Sequence, residues 1–303
     1  MVALTVPSNL AAILASFTVY GLIHHYAAGP KPSPARLGAV TKTTSTLHST
    51  LTTVLAIYFL RRCSAKWART NSVGPADPTL EKASGLRPGG YPDDSKNPVL
   101  QTRSTLGNAI TAIECGYLLQ DTISLLREAR LRHRLVQPAS KPTLRSVLRY
   151  ADTTLLFHHV SIALALLVLH YYILRDRDRG IYIIVQFLLM NSSTPILNLR
   201  WWLRTYHPQY KMLCIGSDIA FIAAFYMARV WLVGRIIRGY GTSHGYDSAW
   251  RVYLEGMRLP CQLGTGALWI ANTTWWALLV MSVVKRFPQE LASVRKAMGV
   301  VKR

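Results

Sequence analysis

Residues 155–162 read LLFHHVSI, placing two adjacent imidazoles, His158 and His159, in a stretch that is otherwise mostly apolar from Asp152 to Leu174. A histidine beside a carboxylate can serve as a general base or carry an acyl group transiently. Candidate carboxylates lie on other segments. Glu114, Tyr117 and Asp121 are spaced i, i+3, i+7 and share a face of any helix that contains them, with Thr111 extending the stripe. Asp152, His159 and His170 are separated by near-integral numbers of helical turns, whereas His158 lies about 100° round from them. Asp218 and Arg229 form a further aligned pair of opposite sign, and His48 sits among Ser45, Ser49 and Thr52. Asn191, Asn198 and Arg200 flank Pro195, where a helix would lose a hydrogen bond and leave the carbonyl near Asn191 unpaired.

The elements that position these groups follow from charge patterning. Of the 303 residues 50% are hydrophobic, yet the formal net charge is +21. A basic soluble domain would spread its charges over helix faces and would point to nucleic acid. Here the charges are excluded from long apolar segments and gathered between them, which identifies a polytopic membrane protein and excludes a nucleic-acid partner. The expected fold is all-α, a transmembrane helix bundle of about seven spans (six to seven). The segments are approximately 9–27, 44–60, 104–126, 151–174, 181–203, 211–237 and 261–284. The second is Thr/Ser-rich and the fifth is interrupted by NSSTP at 191–195, so either could be re-entrant.

The domain plan is an N-terminal helix and linker (1–39), a transmembrane domain (40–290) and a basic tail (291–303). The first span is expected to be retained, since it lacks a basic region before it and ends in His24-His25-Tyr26, which are expected at the interface. A small excess of Lys/Arg places the N-terminus outside the cytosol. The Pro-, Gly- and Asp-rich tract within 61–103 reads as an irregular loop. Segment 127–149 carries seven basic residues and one acid, either as flanking charge or as a surface for anionic headgroups or acyl-CoA. The sequons at Asn191 and Asn272 fall inside spans and are expected to be unmodified. The four cysteines show no paired spacing, so neither a disulfide framework nor a metal site is expected, and no cofactor is implied.

Ionisable groups at mid-membrane cost a few kcal/mol each and usually face a bundle interior. Singly, such residues serve as bridges between helices, and Trp201, Trp202, Trp275 and Trp276 read as interfacial anchors. Acids, imidazoles and an arginine converging from several spans point to a site. The expected lining is His48, Glu114, Tyr117, Asp121, Asp152, Asn191, Asn198, Arg200, Asp218 and Arg229, with His158 and His159 as the reactive pair if the protein is an enzyme.

Five motifs in order, STLHS at 45–49, GYLLQD at 116–121, FHH at 157–159, NSSTPILNLRWWL at 191–203 and FYMAR at 225–229, resemble TLC-domain proteins over roughly residues 40–290. That family includes ceramide synthases and CLN-type and other lipid-homeostasis proteins, and the tract around 194–203 is more similar to the non-synthase branch. In synthases a histidine pair and acids on the following helix form the acyl-transfer site. His158 and His159 match the pair, but Asn191 stands about where an acid belongs, and an amide cannot accept a proton as a carboxylate does.

The resemblance therefore implies, first, a multi-pass endomembrane protein, of the endoplasmic reticulum or a related compartment, that binds membrane lipid or an acyl chain. Second, it implies an acyl-CoA-dependent acyltransferase in which Glu114, Asp121 or Asp218 replaces the missing acid. A trafficking adaptor is a further alternative, although GVVKR lacks a dilysine signal. Ion or proton transport is another, although no inverted repeat is present.

Overall fold

The computed structural model describes residues 6–70, 103–175, 177, 179–242, 246 and 248–297; among these residues every regular element is helical. The helices are α1 (Val6–Ala28), α2 (Pro34–Thr70), α3 (Thr105–Val136), α4 (Leu144–Leu148), α5 (Thr153–Leu174), α6 (Ile181–Leu188), α7 (Thr194–Tyr206), α8 (Lys211–Phe225), α9 (Leu232–Thr242) and α10 (Leu259–Ala297). A 3₁₀ turn at Leu189–Ser193 joins α6 to α7, and a π-helical turn at Tyr226–Trp231 joins α8 to α9. Each expected span falls on one helix or one joined run.

Five runs, Ser8–Ala28, Thr153–Leu174, Ile181–Tyr206, Lys211–Gly241 and Leu259–Val294, are long and apolar enough to cross a membrane. Helices α2 and α3, at 37 and 32 residues, are long enough too, but they carry the polar stripes that lower their hydropathy. The expected loop from 61 begins later, because α2 continues to Thr70, and the Pro/Gly-rich tract lies outside the described residues.

Local chemistry sets the boundaries. Gly29, with φ 77°, ends α1 in the left-handed region that a side chain resists. Ser104 caps α3 by accepting from the Gly107 amide, and Asp152 caps α5 by accepting from the Leu155 amide. At the fifth span the expected unpaired carbonyl is absent. The chain tightens into a 3₁₀ turn in which the Thr194 amide donates to the Asn191 carbonyl, and Pro195 opens α7, where a missing N–H costs little.

The chain forms two compact units. The first comprises α1, α2 to Leu60, α3, α4, α5 and the chain to Val185; the second comprises the end of α2 from Arg61 and the chain from Gln186 through α7, α8, α9 and α10. In the first unit α1 packs along α3 and α3 along α5. The contact with α1 requires Gly116, because a Cβ there would meet the Ile13 carbonyl oxygen, the Ser16 Cβ at 2.7 Å and the Phe17 amide nitrogen at 2.9 Å. In the second unit α8 packs against both α7 and α10.

Both units bury polar groups and expose apolar ones, the reverse of a water-soluble domain. Thr52, Thr111 and Asn272 are fully enclosed, while Leu14, Leu164, Val168, Ile219 and Ile270 face outward. Replacing Gly116 by Ala is expected to destabilise the first unit by about 2 kcal/mol, since a backbone carbonyl cannot step aside. Gly216→Ala, at a position with open space around it, is expected to change stability by less than about 1 kcal/mol. Thermal unfolding of both variants in detergent compares the two directly.

Candidate functional site

The polar groups fall into two clusters, one in each unit. In the first, α3 is the organising element, and its Glu114–Tyr117–Asp121 stripe is buried as its spacing requires. Glu114 Oε2 lies 2.9 Å from His48 Nε2, and His48 Nδ1 lies 2.8 Å from the Tyr20 hydroxyl. With Glu114 a carboxylate and the ring neutral, Nε2 donates to Glu114 and Nδ1 accepts the Tyr20 proton. Tyr117 stacks on the imidazole with ring centroids 3.7 Å apart, and Tyr20 meets both rings edge-on. Three helices, α1, α2 and α3, are thereby tied through one ring.

Two turns further along α3, Asp121 Oδ2 approaches His159 Nδ1 of α5 at 3.0 Å, an ion-pair contact without hydrogen-bond alignment. The other oxygen, Oδ1, is buried without a hydrogen-bond partner. His24 of α1 is also buried; its Nδ1 lies 3.3 Å from the Ser124 hydroxyl. His25 alone takes the exposed position expected of both. The ring of His158 is half-buried, with its centroid 5.8 Å from that of His159. His170 is buried, as the stripe on α5 requires. Asp152 is exposed and caps the helix, so the site expected to include it is formed without it.

The second cluster centres on Asp218 of α8, whose side chain is only 2% exposed. Arg200 donates to Oδ1 through Nε, while Arg204 grips both oxygens, with Nε at 3.1 Å from Oδ1 and Nη2 on Oδ2. Arg204 also donates to Glu290 of α10 through Nη1 at 3.0 Å and Nη2 at 3.3 Å. Arg286 Nη2 stands 3.7 Å from Asp218 Oδ2. The forked guanidinium suits such bidentate pairing.

Arg229 does not join this cluster, although its eleven-residue spacing from Asp218 suggested it. The π-helical turn at Tyr226–Trp231 holds one more residue per turn than an α-helix and rotates Arg229 off that face. Its Nε donates to Ser193 at 3.1 Å, and its guanidinium lies over Phe225 at 5.2 Å. Asn198 is buried in α7 and Asn191 half-buried in the 3₁₀ turn.

Several contributors were absent from the expected lining, among them Tyr20, His24, Arg204, Arg286 and Glu290. Tyr20 stands four residues from Ser16 and His24, a polar i, i+4, i+8 line in an otherwise apolar helix that marks the face buried against α3. Arg204 and Glu290 lie at or beyond the ends of the apolar segments, where charge is ordinary and carries no signal.

Long apolar helices with outward apolar faces and inward charge clusters define a polytopic helical membrane protein. The TLC-domain family model matches residues 39–284, and the chain belongs to that family. No curated protein and no solved structure shows a significant match to it.

Among the described residues no group of histidines, cysteines and carboxylates is arranged to hold a metal ion. Removing a carboxylate from a buried pair leaves its cations uncompensated. Asp218→Asn is therefore expected to destabilise by about 3 kcal/mol or more. Arg132→Ala, which breaks the exposed α3 pair with Glu128, should cost below about 1 kcal/mol. Chemical denaturation in mild detergent measures the difference.

Proposed function

We propose that this TLC-domain protein acts in membrane lipid homeostasis by holding a lipid or acyl chain, with the headgroup against the polar stripe of α3. The observation supporting this reading is Asp121. It is a buried carboxylate with one oxygen near His159 and the other without a hydrogen-bond partner, in a chain whose outer faces are apolar. A lipid headgroup bearing a donor would supply that partner, and the outward leucines and valines suit a position within an endomembrane bilayer such as the endoplasmic reticulum. The purified protein is expected to retain a lipid detectable by native mass spectrometry, with occupancy reduced about tenfold in Asp121→Asn. Protein that carries no lipid, together with an unchanged cellular lipidome on deletion, refutes the reading.

A second reading, acyl-CoA-dependent transfer, gains from the same contact. Asn191 cannot act as the acid of a synthase-like pair, but Asp121 reaches His159 from a different helix. With Nδ1 facing the carboxylate, Nε2 would take the proton from an attacking hydroxyl or amine. That nucleophile would add to the thioester carbonyl. Collapse would form the ester or amide bond, break the C–S bond and release coenzyme A as thiolate, to which His159 returns the proton. The stripe would thus bind the acceptor in either reading. Labelled acyl-CoA offered with sphingoid bases, lysolipids or amines is expected to react on the order of 10²-fold faster with wild-type protein than with the His158→Ala/His159→Ala variant. Equal rates eliminate acyl transfer and leave lipid binding standing.

A further inference from the structure

The charges of the second cluster do not balance. Three guanidinium groups, on Arg200, Arg204 and Arg286, face two carboxylates, on Asp218 and Glu290, leaving one positive charge over. Arg204 is fully engaged, bridging both acids. Arg286 Nη2 stands 3.7 Å from Asp218 Oδ2, in ion-pair range but outside hydrogen-bond reach, and is buried without a hydrogen-bond acceptor among the described residues. Arg286 Nε is spent on the Ser282 carbonyl of its own helix at 3.1 Å. Arg200 engages Asp218 through Nε alone, with its guanidinium 5.7 Å over the Phe221 ring, so its terminal amino groups remain as donors. A buried donor such as Arg286 Nη2 calls for an acceptor that the described residues do not supply.

The position of the cluster narrows the choice of acceptor. Arg204 is two residues from the end of α7, while Arg286 and Glu290 lie within the Leu259–Val294 run but past its charge-free stretch, which ends at Val284. Trp201, Trp202 and Tyr206 pack together on α7 beside them, with the Trp202 and Tyr206 centroids 4.6 Å apart, as aromatics do at a bilayer interface. Charge just past an apolar stretch, beside such aromatics, is the pattern of a helix end among lipid headgroups. Planar guanidinium donors already held in place by acids are suited to a tetrahedral oxyanion, and phosphate is the anion found at this depth.

We propose that Arg286 and Arg200, braced by the Arg204–Asp218–Glu290 network, form a phosphate-binding site at the membrane interface. Its occupant is a phosphate monoester or diester, from an anionic phospholipid headgroup or from a soluble phosphate compound. The site is separate from the α3 stripe, and its failure would leave the reading of that stripe untouched.

The test uses the full chain in nanodiscs. In phosphatidylcholine doped with phosphatidate, native mass spectrometry is expected to show phosphatidate retained about tenfold over phosphatidylcholine. That preference is expected to be lost in Arg286→Gln, partly restored in Arg286→Lys and kept in Lys285→Gln, the exposed neighbour. Arg286→Gln leaves the buried Arg204–Asp218 pair intact, and its unfolding temperature confirms that the fold survives. In phosphatidylcholine alone, inorganic phosphate and a 3′-phosphorylated nucleotide are titrated by calorimetry. Binding there that depends on Arg286, without phosphatidate retention, supports the site and assigns it a soluble occupant. Retention and titration that are both absent, or both indifferent to Arg286→Gln in a folded protein, overturn the proposal.

Discussion

A carboxylate carried into hydrocarbon must find a proton or a cation, since the bilayer interior offers it no water. Glu114 and Asp121 are two such groups, and Asp218, enclosed near a helix end, faces the same demand; each is met by a nitrogen group on another helix: His48 of α2, His159 of α5, and Arg200 with Arg204 of α7. Within each unit this requirement acts on the packing. Where no apolar preference distinguishes helix from lipid, a specific acid–base contact selects which faces meet. Gly116 then allows α1 to approach closely enough for Tyr20 to complete the bond to His48.

The two clusters meet the constraint differently, and the difference matters for chemistry. A guanidinium keeps its proton, so the Asp218 network is a permanent charge assembly whose geometry cannot be relaxed by moving a proton. An imidazole–carboxylate pair can be neutralised by a single proton transfer, and its protonation state can change when a ligand arrives. The first unit therefore has the groups for acid–base work, while the second has the groups for holding a fixed anion. Catalysis, if the protein performs it, belongs with His159 and Asp121 rather than with the arginines.

Periodicity made much of this legible. The α3 stripe needed only 3.6 residues per turn, and the helical membrane bundle needed only the exclusion of charge from apolar runs. Two kinds of feature escaped. One was backbone irregularity: the π-helical turn at 226–231 breaks the regular spacing that related Arg229 to Asp218, and the 3₁₀ turn before Thr194 supplies a donor to the Asn191 carbonyl that a plain proline kink would have left unpaired. The other was partnership across helices. Nothing local to Arg204 or Glu290 distinguishes them from ordinary flanking charge, and only the packing of α7, α8 and α10 joins them to Asp218. Asp152 failed for the opposite reason, since its spacing from His159 was right but a residue at a helix start serves its own amides first.

The TLC-domain match begins at residue 39 and so excludes α1, yet Tyr20 and His24 of that helix stand inside the first cluster. The Tyr20 hydroxyl proton is what a neutral His48 accepts when it donates to Glu114. A residue outside the matched domain thus completes the hydrogen-bond pattern of a residue within it. Without that hydroxyl, Nδ1 would be a buried ring nitrogen lacking its partner. The domain's residues provide the acid and the base, and the preceding helix provides the hydroxyl that completes the contacts of the ring between them.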